Sequence, residues 1–110
     1  MARLQLMFQE RRVSNRRNPT GLMPGKLKHN QLDIICRPVD VSRNGMGVIS
    51  TAQLEPGDPL VLCVREQIIA LQVAWGKPDF AKQDQYRYGL VTMDPNDDLE
   101  AVFIACGCLK

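Results

Sequence analysis

Two clusters of side chains in this 110-residue chain have types and spacing that could do chemistry. Arg11, Arg12, Arg16 and Arg17 place four guanidinium groups within seven positions. Farther along, Asp40-x-Ser42-x-x-Gly45 sets a carboxylate, a hydroxyl and a bare backbone position in one short stretch. A guanidinium bonds bidentately to phosphate oxygens or to the O6 and N7 edge of guanine, and its plane can stack on a base. A carboxylate offers two acceptors to the N–H donors on guanine's other edge. A serine hydroxyl can bond a base or a phosphate, and glycine lets backbone approach a flat ligand. Together these groups suit a guanine-bearing phosphodiester. Each cluster also has a plainer reading. The arginines could be a solvated tail, and Asp-x-Ser-x-x-Gly could be a turn in which glycine supplies a positive φ.

Charge distribution narrows the choice. Residues 1–29 carry seven basic side chains and one acidic, a net of +6, whereas residues 30–110 carry seven basic and eleven acidic, a net of −4. An acidic body would repel a polymer of phosphates, so any anion must be met mainly by the basic arm. The aromatic residues beyond Phe8 are not interleaved with that arm, as a stacking groove for single-stranded nucleic acid requires. The composition, 45% hydrophobic and 24% charged, is that of a globular chain of one domain. No apolar run approaches the ~20 residues of a membrane span. The opening "MARLQLMFQERR" has neither a long apolar region nor a small-residue cleavage site. The expectation is a cytoplasmic protein with no membrane insertion and no nucleic-acid polymer as partner.

The elements that must position the clusters are mostly strands. "LDIICRPVDV", "GMGVIST", "LVLCVRE", "QIIALQVAW" and "QYRYGLVTM" are rich in β-branched or alternating apolar residues and are separated by turn signals. That spacing is the spacing of a small barrel or sandwich. Within "QIIALQVAW", period two puts Ile69, Leu71, Val73 and Trp75 on one face, which favours a core position for Trp75 over one beside a ligand. "PTGLMPGKLKHN" reads as a loop with at most a short strand. "DPNDDLEAVFIACGCLK" closes the chain as a helix, with Asn96 or Asp97 as N-cap. Leu99, Val102, Phe103 and Cys106 share its apolar face, and Gly107 is the stop.

Catalytic and metal chemistry find little purchase. His29, the one histidine, lies in a polar context, and no Gly-rich phosphate loop precedes a helix. Cys36 and Cys63 sit in apolar runs, and Cys106 and Cys108 lack a second ligand pair. The expectation is no enzyme, no metal and no cofactor.

Arg12-x-x-x-Arg16 followed by Asp40-x-Ser42-x-x-Gly45, on a small β domain with a final helix, resembles the PilZ domain, a bacterial receptor module for cyclic di-GMP. "YRYGLV" is similar to that family's late strand, with its glycine at Gly89. The resemblance implies a mainly β fold, a six-stranded antiparallel β-barrel with a C-terminal α-helix. It implies an N-terminal extension over 1–9, a flexible arginine-rich ligand arm over 10–19 and the barrel with its helix over 20–110. It further implies that Arg12 and Arg16 clasp guanine edges and phosphates, that Asp40 and Ser42 bond a guanine, and that Gly45 keeps the surface open. Arginine at position 11 is similar to members that take two intercalated ligands, since a third guanidinium offsets part of the repulsion between paired dinucleotides. Signalling would then pass through a downstream partner protein. The alternative is a PilZ-type interaction adaptor that does not depend on the ligand.

Overall fold

Alternation of apolar and polar residues builds one antiparallel sheet, and the places where that alternation breaks shape it. The computed structural model describes residues 17–79 and 84–109. Within them lie β1 (Lys26–His29), β2 (Leu32–Ile34), β3 (Cys36–Val41), β4 (Gly45–Ser50), β5 (Pro59–Val64), β6 (Gln67–Pro78), β7 (Tyr86–Thr92) and α1 (Leu99–Ala105). The strands hydrogen-bond in the order β2-β1-β5-β6-β7-β4-β3. Every neighbouring pair is antiparallel.

The described sheet has seven strands where six were expected. The "LDIICRPVDV" run, expected as one strand, is two. β2 turns back on β1 through Asn30 and Gln31, both at positive φ, while β3 pairs with β4. These two strands are the opposite edges of the sheet, yet only Ile35 separates them in the chain. The sheet must therefore curl so that its edges approach, giving a half-barrel. Ser50, buried at the crossing, donates its hydroxyl to the Ile35 carbonyl at 2.8 Å and accepts from the Ala52 N–H at 3.1 Å. Both polar groups of the corner are satisfied without water.

The inner face is the core. Leu27, Leu62 and Ile69 form one cross-strand row and Val73, Leu90 and Met46 another, with Leu71 and Val48 on the same face; all are buried. Tyr88 is buried among them, and its hydroxyl donates to the Ala52 carbonyl at 2.6 Å and accepts from the Leu54 N–H at 2.9 Å. Burial raises its phenol above the ordinary value, so the ring acts as a neutral peg holding the β4–β5 loop.

Trp75 departs from the period-two expectation. Val73 pairs with Leu90 and Trp75 pairs with Gly89, so Ala74 is an extra residue on β6, a bulge. One added residue moves everything after it to the other face. Trp75 accordingly leaves the core and stands 46% exposed on the outer surface.

The N-cap of α1 lies one residue after Asp97 and two after Asn96, the expected caps. Asp98 is the N-cap, and its Oδ1 accepts from the Ala101 N–H at 3.0 Å. Leu99 and Phe103 are fully buried in the same core as the sheet. Gly107 ends the helix at φ +69, with its N–H on the Ile104 carbonyl and the Cys108 N–H on the Phe103 carbonyl. This is the Schellman arrangement that glycine at the helix exit favours.

Candidate functional site

Outward-facing positions on β3, β4, β7 and β6 line up in register. Asp40 pairs with Gly47, Gly47 with Gly89, and Gly89 with Trp75. An acid at one end and an indole at the other thus face each other across two glycines. Three strand spacings separate them, roughly 14 Å. Both glycines are there for room. A Cβ on Gly47 would sit 2.9 Å from Asp40 Oδ1, and one on Gly89 would run into the Trp75 indole. Any other residue at either place would raise the floor and push a wall aside. Asp40, Gly47, Trp75, Arg87 and Gly89 are among the residues that line the resulting shallow cleft.

The Asp40 wall is set by local structure. A register shift between Pro38 and Asp40 bulges β3 at Val39, and Asp40 Oδ1 then accepts from the Gly47 N–H at 3.0 Å. A charge-assisted bond of this kind fixes the carboxylate's orientation. Beyond it the chain turns: the Ser42 N–H and hydroxyl both reach the Gly45 carbonyl, at 2.8 and 3.3 Å. Gly45 opens β4 opposite Val91 and is not at positive φ, so the turn does not need glycine for its backbone angle. Asp40, Ser42 and Gly45 therefore lie together at one end of the β3–β4 hairpin.

Asn44, inside the same turn, was not singled out from sequence. Its amide donates to Thr92 Oγ1 at 3.0 Å and to the carbonyls of Pro95 at 3.1 Å and Asp97 at 2.8 Å. The Leu99 N–H donates to the Arg43 carbonyl at 2.8 Å. The turn is thus tied to the end of β7 and the start of α1. Trp75 was also missed as an outer-surface residue, and the signal that could have found it was Gly89, small enough to seat a ring.

Arg11, Arg12 and Arg16 lie outside the described residues. The described chain begins beside the cleft, however. Arg17 exchanges both backbone bonds with Val41, its N–H to the Val41 carbonyl at 2.8 Å and the return bond at 3.0 Å. Val41 stands between Asp40 and Ser42, so the described chain starts at the Asp40-x-Ser42 motif. Arg17 Nε also reaches Glu100 Oε2 at 2.7 Å, with the two side chains 49% and 29% exposed. An exposed pair of this sort adds little stability but fixes direction. Pro19 then pairs with Leu109.

Neither Cys36 nor Cys108 is an activated thiolate. Burial pushes the Cys36 thiol up to about 11, and burial, then Cys106, raises Cys108. Among the described residues no cluster of His, Cys, Asp and Glu could hold a metal ion. No described helix is long and apolar enough to cross a membrane.

The family model of the PilZ domain matches residues 10–106. The chain belongs to the PilZ domain family, whose members are cyclic di-GMP receptors and interaction modules. No curated protein and no solved structure matches it.

Proposed function

We propose that this PilZ domain is a cytoplasmic cyclic di-GMP receptor that binds two intercalated ligands per chain and needs no cofactor. The observation that carries the reading is the outward row Asp40–Gly47–Gly89–Trp75, with the arginine-bearing segment anchored at Val41 beside it. Asp40 would accept from the N1–H and N2–H of one guanine, and Ser42 and Gly45 would receive its edge or phosphate at the turn. Trp75 supplies a face on which another base would stack, an interaction worth about 1–3 kcal/mol. Arg12 and Arg16 would clasp guanine edges and phosphates from the arm, residues 10–19, ordering it over the cleft. Arg11 would offset the added charge of the second ligand. The arm's closure would then be read by a partner protein.

Titration calorimetry with cyclic di-GMP tests this. Two ligands per chain are expected, and Arg11→Ala should reduce that to one. Saturation of the wild type at one ligand would overturn the paired-ligand reading. Replacing Arg12 or Arg16 by Ala should cost about 1.5–3 kcal/mol, a tenfold to hundredfold loss of affinity. Wild-type affinity in both variants would sink the assigned roles.

A ligand-independent adaptor is the second reading. Val91 and Met93 favour it, at 39% and 56% exposed, since they continue β7 past the cleft floor at Gly89 and an isolated receptor has no need of apolar surface there. Absence of any cyclic di-GMP binding by the wild type would select it.

A further inference from the structure

The row next to the cleft floor carries cations in an arrangement that the sheet itself does not favour. On the outer face, Arg37 pairs with Ile49, Ile49 with Arg87, and Arg87 with Lys77. Lys77 and Arg87 are thus direct cross-strand partners of like charge, a pairing that destabilises an antiparallel sheet. None of the three makes an ion pair among the described residues. Asp40, on the same face, directs one carboxylate oxygen to the Gly47 N–H. Among the described residues, then, no ion pair offsets that repulsion, as happens where a site waits for an anion.

Position makes the anion specific. Arg87 lines the cleft beside Asp40 and Trp75. Lys77 Nζ lies 5.7 Å from the centroid of the Trp75 ring, on the surface a base would use. The cation row and the floor row are two residues apart on β7 and on β6, roughly 7 Å. That is a suitable step from a base, across its ribose, to its phosphate. A guanidinium and an ammonium side by side suit a phosphodiester, the first by its bidentate fork and the second as a point charge.

We propose that Arg87 and Lys77, with Arg37 at the row's end, form a second phosphate-binding edge of the cleft, opposite the arm. They hold the phosphate of the ligand whose base lies on Trp75, and Lys77 gives up the indole face to that base when it binds. This rests on the reading of the domain as a cyclic di-GMP receptor. The known motif residues meet the ligand from the Asp40 side, and this edge meets it from the other.

Calorimetry with cyclic di-GMP on the full chain, comparing wild type with an R87A/K77A variant, decides it. The expected result is loss of the second ligand, or an overall affinity at least tenfold weaker. The thermal midpoint should hold or rise, because a like-charge pair has been removed. R87K/K77R, which keeps both charges, should restore the second ligand. Lys77→Glu, a single change at an exposed position, should weaken binding in the same direction if the double variant folds poorly. Wild-type stoichiometry and affinity in both R87A/K77A and Lys77→Glu would overturn this edge and leave the receptor reading intact. No binding by the wild type would overturn both.

Discussion

Gly89 shows how much one missing side chain can decide. It lies under the Trp75 indole, and the ring can lie flat on the sheet only because nothing projects from that position. Gly89→Ala should therefore lift the indole, at a cost of about 1–3 kcal/mol for overpacking. The expected readout is a shifted emission from Trp75, the only tryptophan, together with weakened cyclic di-GMP binding in a protein that still unfolds cooperatively. Unchanged emission would show that the ring does not rest there. At this scale the sequence was legible in part. Asp40, Ser42 and Gly45 announced themselves by type and spacing. Trp75 did not, because a bulge at Ala74 reverses the alternation from which its direction was read. A bulge carries no composition signal when the inserted residue is an alanine. Nor did the Arg87–Lys77 pair stand out, since cross-strand partners ten residues apart in sequence meet only once the register is known.

At the scale of elements, the β3–β4 turn is the joint on which the site depends. Asn44 spreads its amide over Thr92, Pro95 and Asp97, and so binds the turn to β7 and to the approach of α1. Asn44→Ala should leave those acceptors, two of them part-buried, without their donor and lower stability by about 1–3 kcal/mol, measured by urea unfolding. Ligand affinity should fall with it, because Ser42 and Gly45 lose their brace. A variant that loses stability but keeps wild-type affinity would show that the turn is held from the β3 side alone. The later strands and the helix were legible because their apolar residues repeat at the periods of the elements they form. β1 and β2 were not. They are four and three residues long and mix Lys, His and Asp with Leu and Ile, so pairing rather than pattern defines them. The change of edge at Ile35 has no turn residue to mark it, because the curl of the whole sheet, not a local bend, carries the chain across.

At the scale of the molecule, the anchoring of Arg17 on Val41 turns a question of chemistry into one of polymer physics. Arg12 is five residues from that pin, a reach of roughly 17 Å at full extension. The row from Asp40 to Trp75 is shorter than this, at roughly 14 Å. A side chain tethered so closely acts at an effective concentration in the millimolar range, however dilute the protein. Lengthening the tether should then matter little. A four-residue Gly-Ser insertion between Arg16 and Arg17 should cost about 0.5 kcal/mol in closure entropy, about a twofold loss of affinity by calorimetry. Abolished binding would instead mean that the pin sets a fixed geometry. Severing it is another matter: residues 1–16 supplied as a free peptide at micromolar concentration forfeit about a thousandfold in local abundance. The covalent link between the arm and its anchorage at Val41 would thus set the ligand concentration to which the domain responds, without touching the ligand at all.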